Sequence, residues 1–282
     1  PYKENYTKSK AQAAAIWVYD FLKFSRFKKN TLVIGNTKGK NYLSKNYLNI
    51  NIDNLGSKLS SSTIRYCNQI IKRIKNINFD LIEIHNRPLI LFNLIKKIEC
   101  KFIFYFHNDP LKIKGSTTIN ERIFILENCA YVVFISNWLK KQFFKDIDIQ
   151  KYSQKVLIIS HSAKKNKINF NKKENIILFV GRLNTSKGYD IFGEAMMSIL
   201  NKHNDWKAVV IGDEPREKIF FNHERFILKG FKKHPTVINY YKKSKISVTC
   251  SRWEEPLGRG GIEASANGCL PIVSNRGGLG ET

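Results

Sequence analysis

The stretch IILFVGRLNTSKGYDIFGEAMMSILNKHNDWKAVVIG (176–212) holds two short apolar runs, IILFVG (176–181) and AVVIG (208–212), separated by a helical pattern over 188–202. Each run is rich in β-branched residues and ends in glycine, which reads as strand, helix, strand. The alternation extends outward in both directions. TLVIG (31–35), DLIEIH (80–85), FIFYF (102–106), YVVFIS (131–136) and VLIIS (156–160) precede it, and ISVTC (246–250) and LPIVS (270–274) follow. Further helical patterns cover 9–28, 60–76 and 259–267. Strands alternating with helices imply parallel sheets with helices on both faces. The polar, lysine-rich segment HSAKKNKINFNKKE (161–174) interrupts the pattern and reads as a linker. The expectation is an α/β chain of two doubly wound domains, 1–162 and 175–282, joined by 163–174.

The 282 residues are 43% apolar and 12% aromatic, a globular composition with room for two cores. No apolar run reaches the roughly 18 residues that a membrane-spanning helix needs. The longest candidate, LIEIHNRPLILF (81–92), is broken by charge and proline. The five cysteines are odd in number, widely spaced and without a CxxC pair, so they read as thiols of a reducing, cytoplasmic compartment. The formal charge of +25 is uneven: Lys and Arg outnumber Asp and Glu 30 to 11 in residues 1–170 and 18 to 12 in residues 171–282. Such a basic half suits nucleic acid, anionic lipid or an acidic glycan, or is simply a solvated lysine-rich surface. Helix-turn-helix, RNP-like and zinc-ligand patterns are missing from the sequence, which argues against nucleic acid. In QAAAIWVYDFLKFSRFKK (12–29), Trp17, Phe21 and Phe24 stand near Lys23, Arg26, Lys28 and Lys29. That helix either rests on anionic headgroups or packs its aromatics onto a sheet.

Ligands of open α/β sheets sit beyond the carboxyl ends of the strands. His85, His107, Ser136, Gly181, Arg182, Gly212, Asp213, Gly230 and the segment 251–261 all occupy such positions. Arg182 and Lys187 flank a polar turn before a helix that opens near Gly188, an arrangement suited to a phosphate: a guanidinium fork, an ammonium and free helix N–H groups. The alternative is a solvated cationic turn. In SRWEEPLGRGGIEASANGCLPIVSNRGGLGET (251–282), Gly258, Gly260 and Gly261 open a helix that Gly268 closes. Glycines there let a ligand approach the backbone N–H groups of Gly258, Arg259 and Gly260. Glu255 precedes the helix and Glu263 lies within it, and each carboxylate can accept from the two hydroxyls of a sugar diol. Gly277 and Gly278 form another close-approach loop after a strand. A helix-terminal acid and a surface glutamate remain the plainer account of the two carboxylates.

VGRL…KGYD, GDEP and SRWEEPLGRGGIEASANGCLPIVSNRGG together resemble the C-terminal domain of glycosyltransferase family 4, retaining enzymes of GT-B fold. The family's E-P-[FL]-G-x-x-x-x-E-A signature corresponds to Glu255 through Ala264. The resemblance is close over about 110 residues and weaker through DLIEIHNRP, FYFHNDP and VVFISNWLKKQ. It implies two Rossmann-like domains facing across a cleft. It also implies that Arg182 and Lys187 bind the donor diphosphate, Glu263 the ribose and Glu255 the transferred sugar. Gly181, Gly230, Gly258, Arg259, Gly260, Gly277 and Gly278 would line the donor site, and His107 would reach the sugar from the other domain. His107 as an ordinary structural histidine stays open, and His85 reads mainly as structural.

The implied substrates are a nucleoside-diphosphate sugar donor and a glycan or lipid-linked acceptor of surface polysaccharide or lipopolysaccharide synthesis, handled at the inner face of the membrane. No cofactor and no metal are implied. The family's first strand and its glycine-rich loop are not visible around residues 1–10. ISHSA (159–163) stands where an Asn-Gly turn is usual, and the family continues beyond Thr282, so truncation at both ends is the expectation. The rival readings are a non-catalytic sugar-nucleotide-binding module, a phosphorylase-like or epimerase-like enzyme on the same fold, and a basic nucleic-acid-binding protein.

Overall fold

The computed structural model describes residues 4–8, 11, 13–52 and 60–282. Part of the 9–28 helical pattern, Gln12 at the head of the basic aromatic stretch, and residues 1–3, 9 and 10 of the opening segment lie outside the described residues. The chain divides into two compact units. One takes residues up to 135 together with 139–159, and the other takes 136–138 with 160–282.

In the N-terminal unit, helix α1 (Ala13–Phe24) is followed by two short strands, β1 (Val33–Gly35) and β2 (Tyr47–Asn49), which pair in parallel. Then come α2 (Ser62–Ile74), β3 (Leu81–His85), α3 (Pro88–Leu94), β4 (Lys101–Phe106), α4 (Ile119–Asn128), β5 (Tyr131–Phe134), α5 (Asn137–Phe143) and β6 (Val156–Ile158). The last four strands form a parallel sheet in chain order, β3-β4-β5-β6. Every strand run read from the sequence is present here, whereas β2 and helices α3, α4 and α5 had not been legible. β2 is three residues long, and the seven residues of α3 lie inside the apolar run 81–92, where Pro88 at the first turn starts the helix.

Helix α1 joins the two sheets of this unit. Ala15 and Leu22 pack with Val33 and Tyr47, while Trp17 packs on Tyr105 and Val133 of the larger sheet. The packing reading of the 12–29 stretch therefore holds for Trp17 and not for every aromatic in it. Trp17 is buried, but Phe24 is 76% exposed and Phe27 58%. Lys23 and Arg26 lie over the Phe24 and Phe27 rings. A buried guanidinium, Arg122, holds the end of α5 by donating to the carbonyls of Phe143 and Lys145.

The C-terminal unit contains β7 (Glu174–Val180), α6 (Tyr189–Lys202), β8 (Lys207–Ile211), β9 (Phe226–Leu228), α7 (His234–Lys243), β10 (Ser244–Thr249), α8 (Arg259–Ala266) and β11 (Leu270–Val273). Its five strands are all parallel, in the order β11-β10-β7-β8-β9. The chain starts in the middle, winds outward to β9, then crosses back to β10. Strand order thus reverses between β7 and β10, the topological switch point where doubly wound sheets bind ligands. Ile177 and Phe179 of β7 face α6 through Phe192, Met196 and Leu200, and Ile176 and Leu178 face α7 and α8 through Val237, Tyr241 and Ala264. Burial on both faces explains the uninterrupted apolar run IILFV.

Residues 163–174 run along this unit. Asn166 bonds the Ala266 carbonyl and the Asn267 side chain, and Lys173 Nζ donates to the carbonyls of Tyr241, Ser244 and Asn267. All five cysteines are free thiols, with Cys67, Cys129 and Cys269 buried. Because Trp17 is the contact of α1 to the β4–β5 face, Trp17→Ala should destabilise the protein by about 3–5 kcal/mol. A chemical denaturation midpoint lowered at unchanged slope is the expected measurement.

Candidate functional site

The site grows from the two loops that leave β7 and β10 on either side of the switch point. After β7 the chain makes a short turn, Thr185–Lys187, and Gly188 opens α6 with φ +71°. A Cβ at Gly188 would overlap the backbone carbonyl of Cys250, so only glycine lets this turn lie against the β10 exit loop. The two loops are then stitched together. Arg252 N–H and Trp253 N–H donate to the Ser186 carbonyl at 3.0 and 3.2 Å, and Arg252 Nη1 reaches the Thr185 carbonyl and Asp190, both at 2.7 Å.

This stitching brings Lys187 and Glu255 into direct contact as an ion pair, with both side chains largely withdrawn from water. Arg182, just beyond β7, is exposed and makes no side-chain hydrogen bond or ion pair among the described residues. A paired ammonium and an uncommitted guanidinium thus stand on loops next to the first turn of a helix, whose N–H groups favour an anion.

The turn carrying Lys187 is fixed from beneath by residues whose role the sequence did not reveal. Asn184 Oδ1 accepts from Lys187 N–H at 3.0 Å, and Asn184 Nδ2 donates to Glu214 at 3.3 Å. Glu214 in turn receives a two-point bond from Arg216, at 2.7 and 2.9 Å, and Glu217 accepts from Thr185 N–H and Oγ1. The GDEP motif was visible in the sequence, but its use as a brace for the β7 exit turn required the fold. The Arg216 hydrogen bonds outweigh desolvation and hold the Glu214 carboxyl at about 2. Gly212, with φ +146°, approaches the Gly181 carbonyl too closely for a Cβ, and its N–H donates to the Gly230 carbonyl at 3.1 Å. Gly181 and Gly230 therefore belong to one backbone-packed rim.

Glu263 lies in α8, only 7% exposed, with Oε1 shared by His234 Nε2 at 2.8 Å and Arg259 Nε at 2.7 Å. Burial pushes its carboxyl up, but the His234 hydrogen bond and the Arg259 charge outweigh this, and it sits below the ordinary carboxylate range. The plainer account of a surface glutamate is thus not met: Glu263 is buried and charge-compensated. His161 lies near Arg259; burial first and that charge second push it down to about 4, so it stays neutral at physiological pH.

Gly258 precedes α8 with Leu279 packed where a side chain would stand, whereas Gly260 has only ordinary contacts around the position of a Cβ. Gly277, with φ +60°, and Gly278 run beside the 255–256 backbone, and Gly278 N–H donates to the Glu255 carbonyl at 2.6 Å. The close approach these two glycines permit is to the chain's own backbone, and it fixes the residue that carries the Glu255 carboxylate.

His107 belongs to the N-terminal unit, directly after β4. It is 5% exposed, its Nε2 lies 2.9 Å from His85 Nδ1, and its N–H donates to Asn86 Oδ1 at 2.7 Å.

The depressed Glu214 carboxyl gives a signed prediction. A carboxyl held at about 2 against an ordinary 4.5 adds stability above pH 4.5 that is lost as the pH falls toward 2. Glu214→Gln should lower Tm at pH 7 and show a shallower fall in Tm between pH 5 and 2.5 than the wild type.

Comparison with known proteins bears on the family pattern and the fold. Residues 160–282 match the family described as Glycosyl transferases group 1. Spore coat protein SA of Bacillus subtilis (strain 168) is 27% identical over 245 residues, covering 76% of this chain and 64% of that protein. The chain spans 60% and 64% of the length of two curated relatives it matches. Among solved structures, a glycosyltransferase from Rickettsia africae ESF-5 superposes with a TM-score of 0.70 at 21% identity, covering 94% of this chain and 76% of its own. Anabaena Alr3699/HepE, solved in complex with UDP-glucose, gives 0.69 at 15% identity, covering 99% and 81%. Residues 160–282 thus carry the sequence pattern of the group 1 glycosyl transferases, on a chain whose α/β fold is that of GT-B glycosyltransferases.

Proposed function

We propose that the protein is a retaining glycosyltransferase of family 4 type that moves a hexose-type sugar from a nucleoside-diphosphate sugar to a glycan or lipid-linked acceptor of the cell surface. The observation that supports it most is the Lys187–Glu255 pair at the switch point, with Arg182 uncommitted beside it. Before a donor arrives, Glu255 neutralises Lys187 and holds its ammonium near the helix start. A diphosphate would draw Lys187 and Arg182 onto its oxygens and release the Glu255 carboxylate to accept from hydroxyls of the transferred sugar. Glu263 would hold the ribose, and the N–H groups of Gly258, Arg259 and Gly260 would meet the sugar and phosphates. His107 would contact the sugar.

As the nucleoside diphosphate leaves, an oxocarbenium-like centre forms and the acceptor hydroxyl attacks from the same face. Neutralising the charge on the departing phosphate is the main contribution of Arg182 and Lys187. That phosphate takes the acceptor's proton, so the step needs neither a side-chain base nor a metal. Residues 175–282 would then be the nucleotide-sugar-binding domain and 1–162 the acceptor-side domain.

The test is a thermal-shift titration with ADP, GDP and UDP. At 100 times Kd a ligand adds about 2.7 kcal/mol of stability, so one nucleotide should raise Tm by several degrees, and Lys187→Ala should abolish the rise. Transfer by the full-length protein should persist in EDTA. An absence of any nucleotide response there would overturn the reading.

The basic, apolar end of α1 supports a second element, placement at the cytoplasmic face of an anionic membrane. Among the described residues no helix is long and apolar enough to cross a bilayer. Exposed Phe21, Phe24 and Phe27 stand beside Lys23, Arg26, Lys28 and Lys29, a combination suited to interfacial insertion backed by headgroup attraction. Co-sedimentation with anionic vesicles at low salt, reduced at least severalfold by Phe24→Ser with Phe27→Ser, is the expected result. Binding that survives the double substitution but collapses with salt would point to a purely electrostatic surface, as for nucleic acid.

A further inference from the structure

The N-terminal unit holds a cluster of ionisable and aromatic groups of which the proposed function uses a single member, His107. Strand register pairs His85 of β3 with Tyr105 of β4. His85, Tyr105 and His107 therefore emerge on one face of the sheet. His85 Nδ1 and His107 Nε2 are 2.9 Å apart. Tyr105 stacks on the His85 ring at 4.6 Å, and Trp17 of α1 meets the His107 ring edge-on at 4.9 Å. At the far side of His85, Nε2 faces the Glu83 carboxylate at 3.8 Å. Asn86, held at φ +55°, accepts from the N–H groups of His107 and Asn108 at 2.7 and 3.2 Å and fixes the backbone from which His107 projects.

We propose that His85 is a positioning residue for His107: it fixes the plane of the His107 ring and links the proton positions of the two rings. Two ring nitrogens at this separation bond only when one carries a proton and the other a lone pair. If His85 carries its proton on Nε2, its Nδ1 accepts and His107 must carry its own on Nε2. If His85 carries its proton on Nδ1, His107 Nε2 accepts and its proton lies on Nδ1. The two neutral rings therefore share one tautomer, whichever it is. Glu83 from β3 and Tyr105 from β4 are among the facing groups that bear on the choice, and α1 adds the uncharged Trp17 indole.

A second consequence concerns the sugar. The ring-to-ring bond holds His107 by Nε2 and so sets how the ring would meet a donor hydroxyl. Without His85 the His107 ring loses this bond and one constraint on its plane. This role rests on the reading of His107 as a group that touches the transferred sugar, but the pairing itself can be tested without any substrate.

The first measurement is long-range ¹H–¹⁵N NMR on the wild-type protein with ¹⁵N-labelled histidine. The same tautomer at His85 and His107 is expected. Opposite tautomers would set two protons or two lone pairs face to face and would overturn the pairing. The second compares His85→Phe, which keeps the stacked ring but removes both nitrogens, with His85→Asn, whose amide restores a polar group near the Nδ1 position.

In a transfer assay, His85→Phe should lose tenfold or more in kcat with KM changed less than about threefold, and His85→Asn should recover part of the loss. An unchanged kcat in His85→Phe would overturn the positioning role, as would a loss confined to KM, which would put His85 itself on the substrate. Where His85→Phe does not fold, the wild-type tautomers decide. A wild-type protein that transfers no sugar and answers no nucleotide would remove the proposed function while leaving the ring pairing to the NMR result.

Discussion

The contact on which the C-terminal site depends is one of backbone against backbone: the left-handed Gly188 lying beneath the Cys250 carbonyl. Parallel strands β7 and β10 are neighbours in the sheet but lie far apart in the chain, and their exit loops have no covalent reason to meet. Removing the Cβ at Gly188 lets the loops close, and the Ser186 and Thr185 carbonyls then collect hydrogen bonds from Arg252 and Trp253. Gly277 and Gly278 repeat the device on the other side of Glu255. Positions that sequence reading assigns to ligand approach thus serve first to bring the protein's own loops within reach of one another.

Charge in this unit is distributed on the same principle. Lys187 is set against Glu255, Glu263 against His234 and Arg259, Glu214 against Arg216. A partly buried charge is tolerable when paired, and a pair that a ligand can divide holds both groups in place until the ligand arrives. Arg182 stands outside this scheme among the described residues, a free guanidinium at the switch point. An anion would meet one cation already available and a second it must take from a carboxylate. Under the proposed function, that exchange would tie phosphate binding to the freeing of Glu255.

The N-terminal unit is organised around α1, which touches one small sheet through Ala15 and Leu22 and the larger sheet through Trp17. A helix serving two surfaces has little apolar residue left to hide, yet Phe24 and Phe27 remain outside among lysines and arginine. Periodicity alone could not divide the aromatics of this stretch into a buried set and an exposed set, because Trp17, Phe21 and Phe24 recur at helical spacing in either case. The division was made by where β4 and β5 lie beneath the helix.

The sequence by itself determined the alternation of strand and helix, hence parallel sheets. It also placed Arg182, Lys187, Glu255 and His107 directly after strand runs, because apolar runs and breaker glycines are local signals. β2 and β9 were not legible, whereas β1 and β6, equally short, were read from the longer apolar runs TLVIG and VLIIS that contain them. What only the tertiary structure decided are the pairings: Lys187 with Glu255, Glu263 with His234, Asn184 with Glu214, and His85 with His107. Their members are separated by 68, 29, 30 and 22 positions. No local pattern encodes which side chain meets which across such distances. Strand order does, because it sets which strand ends are neighbours: β7 beside β10 and β8 in one sheet, β3 beside β4 in the other.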